Sequence, residues 1–288
     1  MNRILTLSQL NAFRDNLICE EKSAATIQKY LRDVRAFIAF AGGGHVTKEV
    51  VVAYKSALEK KYAVRSVNSM LAALNSFFGF LGWAECKVKF LRCQQQAFCP
   101  SERELTKAEY LRLLQESEKQ TQLNLLLQTV CATGIRISEL PYFTVAAMQK
   151  GEVIIRCKSK TRRILVPGKL RALLLKYARR KGITEGPIFV SRNGNPLDRS
   201  NIWHRMKRLC AAAGVNPAKV FPHNLRKLFA RTFYEAEKDI AKLADILGHT
   251  NINTTRIYIV TTGIEHLRKL ERLGLVFPPI SVKKERTT

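Results

Sequence analysis

The sequence predicts a mainly α-helical chain in two domains, with a small antiparallel β-sheet in the second. Three observations lead there. Apolar residues recur at helical spacing through most of the 288 residues. The pattern switches to period two at EVIIRC (152–157) and RRILVP (162–167). It lapses altogether over 84–104, AECKVKFLRCQQQAFCPSERE, which contains Cys99-Pro100-Ser101. The two periods separate helix from strand, and proline beside a polar residue punctuates a chain. The expected division is a helical domain over 1–88, a linker over 89–103 and a second domain over 104–288.

The first domain is expected to be a bundle of four short helices. SVNSMLAALNSFFGFLGW sets Val67, Met70, Leu71, Leu74, Phe77, Phe78 and Leu81 at helical spacing, one broad apolar stripe. Similar stripes run through 7–19 and 24–40, with a weaker one over 47–60. The second domain opens with helical pattern in LTKAEYLRLLQES and QLNLLLQTVCAT. The β-branched runs on either side of the basic turn KSKT predict a hairpin. Helices are expected again over 168–181 and 198–213, separated by a short strand-like PIFVS and an Asn-Gly turn. No internal repeat or low-complexity segment is visible.

Charge narrows the partners. Lys and Arg number 49 against 23 Asp and Glu, a net of +26 with a pI near 10.1. Such a field attracts polyanions, above all nucleic acid. The charges are spread along the chain rather than clustered beside an apolar span, which argues against a membrane surface. Residues 1–100 hold 14 basic and 7 acidic side chains, a net of +7, so the remaining +19 lies in the second part. The first 20 residues contain no uninterrupted apolar core of signal-peptide type. Seven irregularly spaced cysteines with no C-x-x-C form neither a disulfide frame nor a zinc motif. A reducing cytoplasm is the expected setting.

Three stretches place titratable groups within apolar helical pattern. In CATGIRISEL, Gly134 breaks a helix and Arg136 would project from the start of the next. In FPHNLRKLFARTF, His223 and Arg226 are three apart and share a helix face. In IAKLADILGHTNINTTRIYI, the stripe Ile240, Leu243, Ala244, Leu247 stops at Gly248, an expected C-cap. His249 then lies just beyond a helix end, and Asn253 or Thr254 is expected to cap the helix that carries Tyr258. The chemistry of a phosphodiester unites these groups. Attack on phosphorus builds charge on the non-bridging oxygens, which a planar guanidinium holds bidentately. A tyrosine hydroxyl, with a pKa of about 10, needs a base and nearby cations to attack, and a histidine can take and return the proton. A lysine on the hairpin would protonate the departing sugar oxygen. No carboxylate cluster accompanies the histidines and no Walker loop is present, so neither a metal nor a nucleotide cofactor is expected.

TGIRISEL, HNLR and LGHTNINTTRIY, in that order behind a helical amino-terminal domain, resemble the tyrosine recombinase (phage integrase, Xer-like) family. The likeness spans about residue 5 to 276, and three motifs in order are far more specific than any one. It implies a SAM-like core-binding DNA domain followed by the catalytic domain, clamped around a duplex. Arg136 and Arg226 would be the phosphate-clamping arginines. His223 would be the acid/base histidine, His249 a hydrogen-bond donor to the scissile phosphate, Tyr258 the nucleophile, and Glu139 an acidic buttress. The family's hairpin lysine falls in CKSKTRR, where Cys157 and Ser159 replace glycines of a G-K-G turn; Lys158 is favoured and Lys160 is its rival. Lys227 and Ile259 also depart from common family residues, but at positions without a catalytic role.

Alone, each residue has a plainer reading. Tyr258 between isoleucines would be packing, His249 a helix-end dipole partner, and the lysines backbone contacts in a turn. An unpaired arginine in apolar helical pattern is costly, however, so Arg136 and Arg226 call for an anion. Tyr234 follows an apolar helix with no adjacent histidine and reads as packing; His45 and His266 belong to no constellation. The expected function is a cytoplasmic, bacterial nucleoid-associated site-specific DNA recombinase of a mobile element. It would cut and rejoin DNA through a 3′-phosphotyrosine, without ATP or metal. The partners implied are double-stranded DNA with short inverted recombination sites, a homotetramer on that DNA and a directionality factor, with the tail VFPPISVKKERTT docking on a neighbouring protomer. The rival readings are a type IB-like topoisomerase and a non-catalytic DNA-binding protein on the same fold.

Overall fold

The computed structural model describes residues 3–92, 104–157, 160–259 and 263–273. The chain divides into two compact units, Met1–Gln95 and Gln96–Thr288. Most of the expected linker, residues 93–103, and the tail beyond 273 lie outside the described residues.

In the first unit, α1 (Leu7–Cys19), α2 (Ala24–Ala41), α3 (Lys48–Glu59) and α4 (Val64–Phe80) follow the four stripes. Thr6, Ser23 and Thr47 cap the first three by accepting a backbone N–H. The α4 stripe turns inward: Val67, Leu71, Leu74, Phe77 and Phe78 are buried, with Met70 and Leu81 packed at the edge. Phe77 meets Phe13 at 5.0 Å and Phe78 meets Phe37 edge-on at 5.6 Å, geometry that suits aromatic quadrupoles. Beyond a 3₁₀ turn at Ala84–Cys86, the chain loses helical period because it runs as a strap beside α4. Asn75 accepts the Val88 N–H and donates to the Val88 carbonyl, and Asn68 does the same at Leu91. Each amide side chain replaces a missing ladder partner.

The second unit is built around α6 (Thr121–Thr133), of which Leu123, Leu126, Leu127 and Val130 are fully buried. Before it comes α5 (Lys107–Glu116), closed by a Thr106–Glu109 capping box. After it come a 3₁₀ helix (Ile137–Tyr142), α7 (Val145–Lys150) and the hairpin β1 (Glu152–Cys157) and β2 (Lys160–Leu165). Then follow α8 (Gly168–Arg180), α9 (Arg199–Ala212), α10 (Pro222–Glu237), α11 (Ile240–Leu247), α12 (Ile252–Ile259) and α13 (Gly263–Arg272). The mainly α fold with a two-stranded antiparallel sheet is as expected.

Three local expectations are corrected. β2 begins at Lys160 rather than 162, since Cys157 pairs with Lys160 and Arg156 with the β-branched Thr161. PIFVS makes no strand; it forms only the isolated bridges Thr144–Pro187 and Val190–Pro196, because prolines at both places lack the N–H that a ladder needs. The cap of α12 is Asn251, whose side chain accepts the Asn253 N–H at 2.8 Å, rather than Asn253 or Thr254. Among the described residues no helix is long and apolar enough to cross a membrane.

Candidate active site

Two glycines bring the site together. α6 ends at Gly134 with φ +63°, and a Cβ there would lie 2.6 Å from Phe229 Cε1 and 3.0 Å from Leu247 Cδ2. Only glycine permits both the left-handed backbone and the close packing of α10 and α11 on this turn. α11 ends at Gly248 with φ +65°, and the His249 N–H closes back on Ala244 O at 2.9 Å, a Schellman-type ending that throws His249 off the helix end.

Arg226, one turn into α10, is 1% exposed. It donates Nη1 to Gly134 O and Nη2 to Leu247 O at 2.8 Å, so it binds the carbonyl-bearing ends of α6 and α11. No carboxylate lies within ion-pair distance of it among the described residues, and its Nε has no hydrogen-bond partner there. Burial, followed by the nearby Arg136, pushes its pKa down to about 10, with Tyr258 opposing. A buried cation held by neutral dipoles, with no carboxylate beside it among the described residues, is poised to gain from an anion.

Arg136 caps the 3₁₀ helix, and Glu139 accepts both its N–H (2.8 Å) and its Nη1 (3.2 Å). The Arg136 side chain remains 46% exposed, whereas Glu139 is buried. His223, at the start of α10, is exposed and stands with its ring 5.1 Å from that of Tyr258. Partial desolvation, then the charges of Lys227, Arg226, Arg136 and Arg199, hold its pKa below the usual histidine value. The His249 ring lies 5.2 Å from that of Tyr258. Arg226 Nη2 contacts its Nε2 at 2.9 Å, and Thr255 Oγ1 contacts its Nδ1 at 2.9 Å. Arginine can only donate, so Nε2 accepts and Nδ1 carries the proton toward Thr255. Desolvation and then Arg226, Arg136, Arg162 and His223 push the His249 pKa down to about 4. Both imidazoles are therefore neutral at pH 7.

Tyr258, on α12, is 6% exposed; its ring lies near both histidines, with the Arg226 guanidinium 5.8 Å from its centroid. A pocket of about 310 Å³ is lined by Arg136, Arg199, His223, Arg226 and Tyr258, with Ser138 and Pro141 among its other walls. It offers guanidinium donors, a neutral imidazole and a phenol to one small anionic group. Among the described residues no set of His, Cys, Asp or Glu is placed to hold a metal ion.

The structure thus brings together Arg136, Glu139, His223, Arg226, His249 and Tyr258. Lys160 is the first residue of β2, opposite Cys157. Lys158 lies outside the described residues. Tyr234 packs against the Ala230–Leu243–Leu247–Tyr258 cluster, as expected of a packing residue. Three contributors escape a motif reading: Arg162, which bonds Glu139; Arg199, which lines the pocket; and Thr255, which orients His249. Arg162 had a signal, since it shares the parity of the apolar Ile164 and Val166. Arg199 and Thr255 had none.

Comparisons with known proteins identify the family. The model for the "Phage integrase family" matches residues 103–262 and that for the "Phage integrase, N-terminal SAM-like domain" matches 10–85. A tyrosine recombinase XerA of Thermococcus kodakarensis is 29% identical over 273 residues, covering 91% of this chain and 93% of the relative. A tyrosine recombinase XerC of Erythrobacter litoralis is 27% identical over 258 residues, covering 84% of each. Among solved structures, a lambda integrase dimer bound to a core site superposes with a TM-score of 0.72 at 18% identity, over 90% of this chain and 96% of that one. XerH bound to its difH substrate gives 0.66 at 18%, over 93% and 85%. With its catalytic-region match alone spanning more than half of the 288 residues, the chain belongs to the phage integrase family.

Proposed function

We propose that this chain is a tyrosine-type site-specific DNA recombinase, with a core-binding domain over 1–88, a linker over 89–103 and a catalytic domain over 104–288. The observation that carries the reading is the buried Arg226, paired with no carboxylate among the described residues, directly against a tyrosine flanked by two neutral histidines. Fixed guanidinium donors favour the transition state, in which the phosphoryl oxygens carry the most charge.

The Tyr258 oxygen attacks phosphorus while His223 takes the phenolic proton. A Tyr–O–P bond forms at the 3′ side and the bond to the 5′ oxygen breaks. That oxygen leaves as a hydroxyl after protonation by the hairpin lysine, Lys158 or Lys160. Arg136 and Arg226 hold the non-bridging oxygens, and His249 donates to one of them once the phosphate draws a proton onto its Nε2, which accepts from Arg226 in the free protein. A 5′-hydroxyl from a partner strand reverses the step, so the bond energy is retained and no nucleotide is consumed. Double-stranded DNA with short inverted sites is the substrate and a homotetramer the working assembly, with a directionality factor as accessory. Solved structures of a lambda integrase dimer on a core site, a lambda integrase tetramer on a Holliday junction and XerH on a difH substrate support that choice.

A nicked suicide duplex carrying the element's end sequence tests this. Wild-type protein is expected to form a covalent adduct without added metal or ATP, and Tyr258→Phe none. An adduct with Tyr258→Phe refutes the nucleophile. Relaxation of plasmids lacking any site, at the rate seen with the site, would favour the topoisomerase.

A further inference from the structure

We propose that Arg162 is a positioning residue for strand cleavage, fixing Arg136, His249 and the lysine-bearing hairpin in one frame. The inference deepens the recombinase reading and rests on it.

Arg162 occupies an unusual place. In β2 it lies opposite Ile155, and Ile155, Val153 and Ile164 in the same row are buried. Its own side chain is only 12% exposed. A cation in such a row costs folding free energy unless it is fully bonded, and its bonds lead to the site from two directions. Nη2 donates to Glu139 Oε2 at 2.6 Å, the same oxygen that accepts the Arg136 N–H. Nη1 donates to Ile246 O at 3.1 Å, in the last turn of α11.

The stem matters as well. A Cβ at residue 248 would lie 2.5 Å from Arg162 Cδ and 3.2 Å from its Nε, so the side chain lies flat against the glycine backbone that delivers His249. Position 160 is two residues along the same strand. One guanidinium therefore links the carboxylate that orients Arg136, the turn that presents His249 and the strand that leads to the hairpin lysines. Its charge also helps to keep His249 neutral. A planar fork can reach both acceptors at once; an ammonium, a single point of charge, can serve only one of them well.

Displacing reacting groups by about 1 Å costs on the order of 10²-fold in rate. The expected result for Arg162→Met is single-turnover adduct formation slowed about 10²-fold, with affinity for the uncut site within about threefold of wild type. Arg162→Lys should recover part of the rate. Melting curves of both variants establish the folded fraction; if Arg162→Met does not fold, Arg162→Lys decides, and a loss of about tenfold or more in rate with affinity retained supports the proposal. Rates within threefold of wild type for the folded variants overturn it. So does a loss that follows DNA affinity or folded fraction. If wild-type protein forms no adduct, the recombinase reading itself fails and the inference falls with it; a wild-type adduct with unaffected Arg162 variants removes the inference alone.

Discussion

Replacing Glu139 by glutamine tests whether the site rests on a charge or only on a shape. The carboxylate is 5% exposed and receives three donors: the Arg136 N–H at 2.8 Å, Arg136 Nη1 at 3.2 Å and Arg162 Nη2 at 2.6 Å. Glutamine has the same outline, but one of its terminal atoms becomes an NH2 group that must face at least one of those donors. Arg162, 12% exposed, would then lose the carboxylate that accepts its Nη2. Removing one member of a buried pair costs roughly 3–5 kcal/mol. The Arg136 side chain is 46% exposed and solvent screens its share, so the lower end of the range, ~3 kcal/mol, is expected. For a unit of this size each kcal/mol moves Tm by ~2–4 °C, giving a drop of ~6–12 °C. Circular dichroism melts at pH 7 measure it. The double variant Glu139→Gln/Arg162→Met removes the guanidinium together with the carboxylate and should regain most of the loss. A single-variant Tm within about 2 °C of wild type, or a double variant less stable than the single, would refute the reasoning.

Other expectations follow from the same geometry. Gly134→Ala must place a side chain at φ +63° against the Phe229 ring, a combination of left-handed strain and overpacking that should cost ~2–4 kcal/mol and lower the urea midpoint; an unchanged midpoint would contradict the packing. Lys158→Ala and Lys160→Ala, compared in single-turnover cleavage, should differ by at least about 10²-fold, with the slower variant identifying the acid; two near-wild-type rates exclude both. Desolvation and neighbouring cations hold the His223 and His249 pKa values down in the free protein. A bound phosphate opposes that field, so DNA binding near pH 6 should take up protons. Calorimetry in buffers of different ionisation enthalpy reads the uptake, which should shrink as the pH rises and be smaller in His249→Ala; pH-independent binding would count against it.

What could be read from the chain depended on how local its cause was. The stripe from Val67 to Leu81 announces α4 because helical burial repeats within the segment itself. Gly248 as a helix end, and the shared face of His223 and Arg226, are likewise properties of a few adjacent residues. The errors fall where two segments decide together. Whether 160–161 joins β2 depends on what Arg156 and Cys157 offer across the hairpin. PIFVS has strand-like residues but meets only isolated bridges, and its flanking prolines close off a ladder. The lapse after residue 84 looked like linker, yet its first part is held by Asn68 and Asn75 from a helix that precedes it by more than a turn of chain. Arg199 enters the pocket solely because of how α9 packs, and no local pattern could announce it.

The arrangement of charge explains why these residues are tolerated in a folded core. Arg136, Arg162 and Arg226 converge from three separate elements, with Arg199 at the pocket wall, and Glu139 is the buried carboxylate among them. It satisfies Arg136 and Arg162, both through direct ion pairs. Among the described residues, Arg226 meets carbonyl dipoles, the lone pair of His249 and the Tyr258 phenol, and no carboxylate. A second carboxylate beside Arg226 would stabilise the free protein, but it would also occupy the position from which a phosphate can be held, and it would raise the pKa values of both histidines. That no carboxylate among the described residues pairs with Arg226 is thus what keeps His223 available as a base and the pocket open to an anion. A phosphodiester entering there supplies the charge that the fold omits, and it does so against Tyr258, where the same cations favour attack by the phenol oxygen.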